Sequence, residues 1–227
     1  MPRSITRKIK PAKPLIVVFC EGESEQAYAS FLKKKFSEYA VIKYPQDTGL
    51  FDKAKKVFDK EPKYKNNIDV TDEIWFFFDV ELKNIGRWDE DYKIIQYLRR
   101  LRRKPNIKVR LLMTCGCIEY WLMLHYKMTA PPLQTTAEKD NMISQLEGIE
   151  PTYKKGDEVS TSKIAENYPT ALVNGEKTLK NLSSQGLPEL DDTDKRNAWL
   201  FKQCKTFSNV HEAINYLESI KSSGKSK

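Results

Sequence analysis

Three acidic residues follow strongly apolar segments of the chain. Glu21 comes directly after Leu15–Cys20, and Asp79 and Glu81 come after Glu73–Phe78. Residues two apart in an extended segment point to the same side, so Asp79 and Glu81 are expected to share one ion. Converging carboxylates repel one another, and a hard divalent cation relieves this repulsion. The pattern predicts a Mg²⁺ (or Mn²⁺) site built from Glu21, Asp79 and Glu81, which suits phosphodiester hydrolysis.

The elements that must position these residues are strands of a parallel sheet. The two apolar segments have strand length and continuous hydrophobic character, as expected for strands buried on both faces. Further strands at Ala40–Tyr44 and Ile107–Met113, with helices between them, continue the alternation to residue 126. This alternation predicts an α/β fold with helices on both faces of the sheet. Ligands then bind beyond the carboxyl ends of the strands, and Glu21 reaches Asp79 if their strands are neighbours.

The pattern changes beyond residue 127, where helices alternate with polar loops. We expect helices at residues 137–146, 160–167, 175–182 and 210–220. The predicted organisation is a basic N-terminal arm at 1–13, an α/β domain at 14–130, a C-terminal helical extension at 131–220 and a disordered tail at 221–227. A length of 227 residues suits one domain with a smaller appendage.

A net charge of +8 favours a polyanionic partner. The basic excess is concentrated in short runs, which makes nucleic acid a plausible ligand. A charge run is also commonly a solvated helix face. The candidate nucleic-acid contacts are Lys33, Arg99, Arg100 and Arg103.

Neither membrane association nor secretion is expected. No apolar run approaches the roughly 18 residues of a membrane span, and Leu15–Cys20 is too short for the core of a signal peptide. Four cysteines are too few for a disulfide scaffold in a chain of this length. Cys115 and Cys117 are interpreted as buried, reduced thiols rather than as zinc ligands, and a cytoplasmic location is predicted.

Several motifs resemble known families. The segment 17–25 resembles the first Toprim motif and carries the Glu-Gly-x-x-Glu form of OLD-like nucleases, with Glu21 and Glu25 in the matching places. The segment 74–81 resembles the Asp-x-Asp motif. Ile118–Tyr126 resembles the signature of the RloB-like family, and Tyr153-Lys154-Lys155 is similar to its Tyr-x-Lys stretch. The resemblance spans about residues 14 to 220.

This resemblance implies a Toprim-like parallel sheet that binds magnesium and acts on nucleic-acid phosphodiesters. It assigns general acid/base catalysis to Glu21 and metal binding to Asp79 and Glu81. RloB-like proteins resemble components of bacterial antiphage systems paired with an ABC- or AAA-type ATPase. The expected function is therefore a nuclease that serves as the toxin of a defence system.

The third motif contributes two further candidates, Glu119 and His125. Trp121 and His125 are four residues apart and share a helix face, whereas Glu119 lies about 120° away around the helix. Glu119 follows the carboxyl edge of the sheet and is expected at the site, and Trp121 is expected to pack. His125 either orients a catalytic group or contacts phosphate, or it is a structural histidine.

Two features support a different interpretation. The motif Asp79-x-Glu81 departs from Asp-x-Asp, and Lys83 stands where an acidic or polar residue is common. If Lys83 bonds Asp79, its charge replaces that of the cation. The chain is then a catalytically decayed nucleic-acid-binding or regulatory subunit. Each carboxylate also has the simpler interpretation of a cap or salt-bridge partner at a strand end.

Overall fold

A computed structural model describes residues 13–225 of the chain. Its sheet has four parallel strands: β1 (Leu15–Cys20), β2 (Val41–Lys43), β3 (Thr71–Val80) and β4 (Lys108–Cys115). The strand order is β2-β1-β3-β4, so β1 and β3 are neighbours. This arrangement confirms the predicted α/β fold and brings the carboxyl ends of β1 and β3 together.

Ten α-helices follow in chain order within the described residues. They are α1 (Glu23–Lys35), α2 (Phe51–Lys60), α3 (Pro62–Lys65), α4 (Trp88–Arg99), α5 (Ile118–Met123), α6 (Thr136–Ile149), α7 (Glu158–Ala165), α8 (Tyr168–Leu182), α9 (Asp194–Gln203) and α10 (His211–Lys225). None of the helices in this part of the chain is both long and apolar enough to cross a membrane.

Alternating residues of the strands pack against helices on opposite faces of the sheet, as strand geometry requires. On one face Phe76 packs against Phe51 of α2, with ring centroids 4.4 Å apart. On the other face Phe77 packs edge-on against Tyr28 of α1, at 5.8 Å. Both faces are therefore covered by helices, as predicted.

The helical extension shares the hydrophobic core of the sheet. Buried residues of the extension, such as Leu179 and Leu217, belong to the same cluster as Ile74 of β3. The Asn209 side chain also donates to the carbonyl of Leu111 at 2.9 Å and completes the outer edge of β4. The predicted α/β domain and the predicted helical extension, which meet near residue 130, therefore share one hydrophobic core.

Some local expectations differ from the structure. From the sequence we expect Ser24 to cap the first helix, but α1 begins at Glu23 with Gly22 as its N-cap. Helix α9 was not predicted, because its acidic start reads as a polar loop. Helix α10 continues through residue 225, so residues 221–225 of the predicted disordered tail are helical. The basic arm, apart from Lys13, and residues 226–227 lie outside the described residues.

Candidate metal centre

A pocket of about 390 Å³ lies beyond the carboxyl ends of β1 and β3. Its acidic lining comes from three elements: Glu21 follows β1, Glu25 belongs to α1, and Asp79 lies near the end of β3. A neighbouring pocket of about 390 Å³ on the side of α2 and α4 also contains Glu21 and Asp79. These two carboxylates therefore stand at the centre of the carboxyl edge, as the sequence predicted.

Glu21 connects the ends of the two central strands. Its backbone N–H donates to the carbonyl of Phe77 at 3.0 Å. Its carboxylate accepts the backbone N–H of Asp79 at 2.9 Å. Glu21 as a whole is exposed, but desolvation of its carboxylate raises the pKa of Glu21. The hydrogen bond from Asp79 lowers this pKa, and the negative charge of Glu81 raises it.

Asp79 carries an oxygen with no hydrogen-bond partner. Within residues 13–225, its Oδ1 atom is buried and unsatisfied. Desolvation is the main cause that holds the pKa of Asp79 well above its usual range, and the charges of Glu25 and Glu21 raise it further. A buried, unpaired acceptor surrounded by like charge is costly unless a proton or a cation reaches it.

Glu25 is 4% exposed and faces the same pocket. One of its oxygens accepts the backbone N–H of Gly22 at 3.0 Å. Burial raises the pKa of Glu25 to about 7, with further contributions from the charges of Glu21 and Glu119. Glu25 therefore exchanges its proton near neutral pH, which is the range that general acid/base catalysis requires.

Glu119 completes the cluster from the start of α5. It is fully buried, and the hydroxyl of Tyr153 donates to its Oε1 at 2.9 Å. The ammonium of Lys155 lies 3.9 Å from the same oxygen. Its Oε2 is buried without a hydrogen-bond partner in the described part of the chain. The Tyr-x-Lys segment thus bonds Glu119 through Tyr153 and lines the pocket through Lys155, a placement that the sequence did not reveal.

The cluster matches the preferences of a hard divalent cation. Two unsatisfied carboxylate oxygens, on Asp79 and Glu119, are the ligands that Mg²⁺ and Mn²⁺ take in proteins. No three His, Cys, Asp or Glu side chains in residues 13–225 form a ready-made metal site. Asp79 and Glu119, with Glu21 beside them, are the residues that would hold such an ion.

Glu81, predicted as the third metal ligand, is neutralised by two lysines. Lys83 pairs with its Oε2 atom and Lys139 with its Oε1 atom. Burial alone would raise the pKa of Glu81, but the hydrogen bonds from Lys139 and Lys83 outweigh it and lower the pKa. Both oxygens of Glu81 are therefore occupied, whereas Glu25 and Glu119 act as neighbouring charges on Asp79. Lys83, which the alternative interpretation places against Asp79, pairs with Glu81 instead.

His125, one of the predicted catalytic candidates, lies in the core and does not line the carboxylate pocket. It is fully buried, with its Nε2 atom 3.1 Å from the hydroxyl of Tyr28 and its Nδ1 atom 3.0 Å from the carbonyl of Trp121. Burial lowers the pKa of His125 to about 4, so the imidazole is neutral at physiological pH. With both ring nitrogens engaged in the core, it has none left for a substrate. Trp121 is fully buried, as expected for packing.

The predicted nucleic-acid contacts do not line the carboxylate pocket. Helices α1 and α4 run from the carboxyl edge of the sheet back to its amino edge, so Lys33 and Arg99 near their ends lie far from the cluster. Arg99 also donates two hydrogen bonds to Asp194, at 2.8 and 2.7 Å. Arg100 and Arg103 are exposed at the same amino edge. The lysines at the pocket are Lys83 and Lys155.

These features define an α/β protein with a carboxylate pocket at the carboxyl edge of a parallel sheet. Residues 16–217 match the family model described as RloB-like protein. Because the match covers most of the chain, the protein belongs to the RloB-like family, as the sequence motifs indicated. No curated protein matches the chain.

Proposed function

We propose that this chain is a divalent-metal-dependent nuclease that hydrolyses phosphodiester bonds of RNA or DNA. The observation that supports this is the buried, unpartnered carboxylate oxygen that Asp79 presents at the carboxylate pocket. The fully buried Glu119 carries a second such oxygen, and its charge contributes to the raised pKa of Asp79. Glu21 and Glu25 adjoin them with raised pKa values. A hard cation is the group that relieves such repulsion and leaves positions for water and phosphate.

A Mg²⁺ or Mn²⁺ ion held by Asp79 and Glu119, with Glu21 beside them, would supply an activated water and stabilise the leaving oxygen. Glu25, with a pKa of about 7, carries or accepts a proton at neutral pH. The family resemblance assigns this proton transfer to Glu21, whose pKa is also raised. The two glutamates are thus the candidates for general acid and base.

Two exposed lysines flank the pocket and suit a phosphate backbone. The side chains of Lys83 and Lys155 are 73% and 66% exposed, respectively. Both residues line the carboxylate pocket. Their ammonium groups can contact phosphate oxygens as point charges and offset the repulsion between a polyanion and the carboxylates.

The biological role that we propose follows from the family resemblance. The chain would be the effector, or toxin, of a bacterial antiphage defence system in the cytoplasm. Its partner would be an ABC- or AAA-type ATPase, and its substrate cellular or phage nucleic acid.

A second candidate function is favoured by the ion pairs of Glu81. Since Lys83 and Lys139 neutralise this motif residue, the metal site would be one carboxylate short of the family pattern. The chain would then be a catalytically decayed nucleic-acid-binding or regulatory subunit of an ATPase-containing complex. Under this alternative the protein binds nucleic acid without cleaving it.

The Glu21→Gln variant is expected to lose cleavage of labelled RNA and DNA by on the order of 100-fold or more, because it lacks a carboxylate at the reacting centre. The measurement compares cleavage rates in Mg²⁺, in Mn²⁺ and in EDTA. Glu147→Gln is the matched control, since Glu147 is exposed on α6 and lines none of the pockets described. Full activity of Glu21→Gln, or wild-type cleavage that persists in EDTA, would contradict the proposal.

A further inference from the structure

A third cavity opens on another side of the carboxylate pocket. It has a volume of about 510 Å³ and lies between the loop that follows α5 and the ends of α8 and α9. Leu82 forms part of its wall, while the flanking residues Glu81 and Lys83 line the carboxylate pocket. The two cavities therefore share the segment 81–83 as a common wall. We refer to this third cavity as the amide groove.

Several polar side chains that line the amide groove have no hydrogen-bond or ion-pair partner within residues 13–225. Asn181, Gln185 and Gln203 are exposed, and their carboxamides make no hydrogen bond within residues 13–225. Lys205 is exposed at the same cavity and has no ion-pair partner among the described residues. Each carboxamide presents a donor and an acceptor side by side, which is the pattern that matches the edge of a nucleobase.

The groove also has an apolar wall and a fixed floor. Leu82 is 56% exposed beside Pro132, and this surface can receive the face of an aromatic ring. The Gln134 side chain donates to the carbonyl of Cys204, and the Thr206 hydroxyl donates to the carbonyl of Pro131 at 2.7 Å. These hydrogen bonds tie the end of α9 to the loop after α5, so the groove is formed before any ligand binds.

Cys204, at the end of α9, has a left-handed backbone conformation. Its φ of 45° lies in the left-handed region, which non-glycine residues adopt at a cost. This turn ends α9 and places Gln203 and Lys205, on either side of it, at the same cavity. Strained backbone that orients uncommitted polar groups is typical of ligand-binding sites.

We propose that the amide groove binds one unstacked nucleobase next to the phosphodiester at the carboxylate pocket. This inference rests on the proposed function, because it assigns a substrate class to the same site. The base edge would bond the carboxamides of Asn181 and Gln203, its face would lie on Leu82, and Lys205 would contact the adjoining phosphate. A base stacked in a duplex cannot enter such a groove, so the substrate class is single-stranded or locally unpaired nucleic acid.

The test is photo-crosslinking of a single strand that carries 4-thiouridine, carried out in EDTA so that cleavage plays no part. We expect mass spectrometry to find crosslinked residues within segments 181–185 and 203–206, and no such crosslinks with the matched duplex. By fluorescence anisotropy, the Asn181→Ala/Gln203→Ala variant should bind the strand about tenfold more weakly. The control Asn141→Ala/Gln145→Ala, an exposed Asn/Gln pair on α6 outside the groove, should bind as the wild type does.

Crosslinks confined to other surfaces, equal binding of strand and duplex, or unchanged affinity in the groove variant would each overturn the inference. The nuclease proposal can fail separately. Crosslinks in the groove without cleavage in Mg²⁺ would retain the groove and contradict hydrolysis. Cleavage with no crosslinks in the groove would retain the nuclease and reject the groove.

Discussion

The Asp79→Asn variant is expected to be more stable than the wild type at about pH 8 without divalent cations. The Oδ1 atom of Asp79 is buried and unpartnered, and desolvation and like charge hold the pKa of Asp79 well above its usual range. At this pH the folded wild type either keeps a desolvated charge or takes up a proton that the unfolded chain lacks, and the amide of the variant does neither. The free energy of unfolding should therefore rise by about 1–3 kcal/mol, the usual cost of an unsatisfied buried polar group. Denaturant unfolding measures the difference, with the exposed Asp140→Asn as control.

The pH dependence of this difference follows from the direction of the shift. A carboxylate whose pKa is higher in the folded state stabilises the fold at low pH, and that contribution is lost as pH rises through the folded pKa. For Glu25 the loss extends from about 4.5 to about 7, and Asp79 changes in the same direction. Burial lowers the pKa values of His125 and His211 to about 4, so these two histidines destabilise the fold as pH falls. This effect is the same in the wild type and in Asp79→Asn and does not change the difference between them. The advantage of Asp79→Asn should therefore vanish at low pH, and an advantage that is independent of pH would contradict the account.

Releasing Glu81 from its lysines is expected to strengthen metal binding. In the Lys83→Met/Lys139→Met variant both oxygens of Glu81 lose their ammonium partners, and the pocket gains a free carboxylate. The affinity for Mg²⁺ should rise about tenfold, because ligand charge tunes the affinity of oxygen-ligand sites. The apoprotein should become less stable at about pH 8, since like charges then crowd the pocket.

Isothermal titration calorimetry measures this affinity, and Lys163→Met is the matched control. Lys163 pairs with Glu150 at 2.8 Å and lines none of the pockets described, so its loss should leave Mg²⁺ binding unchanged. Unchanged or weaker binding in the double variant would contradict a role for Glu81 as a latent ligand. It would favour the interpretation of a decayed site.

The sequence predicted the sheet and its central carboxylates well, because both depend on local patterns. The continuous apolar run Leu15–Cys20 indicates a buried strand, and the residue after such a strand lies at the carboxyl edge. The neighbouring position of β1 and β3 determines whether Glu21 meets Asp79. Only the structure shows this strand order.

The rest of the site depends on contacts between distant segments. Lys139 reaches Glu81 across 58 positions, and Tyr153 reaches Glu119 across 34. No local pattern reveals such pairs, so Glu81 was predicted as an open ligand. Helix periodicity predicted that His125 and Trp121 share a helix face. It could not show that this face packs against Tyr28 of α1.

The charge runs lie away from the carboxylate pocket for a related reason. The runs that end α1 and α4 suggested a binding surface, yet the topology of the sheet carries both helix ends to the amino edge. Scattered single lysines, Lys83 and Lys155, are the ones that line the pocket. To find the lysines that line the pocket, the end of the sheet at which a residue lies is thus more informative than the clustering of charge along the sequence.

The most direct test of the carboxylate cluster is a calorimetric titration with Mg²⁺ at about pH 6.5, repeated in two buffers of different ionisation enthalpy. At this pH a pKa of about 7 leaves most Glu25 carboxyls protonated, and the pKa of Asp79 is also raised. A divalent ion held by Asp79 and Glu119 beside Glu25 would therefore displace protons. We predict saturable binding with proton release by the wild type, and neither in Asp79→Asn. Absence of saturable binding by the wild type, or equal binding by Asp79→Asn, would contradict a cation site among these carboxylates.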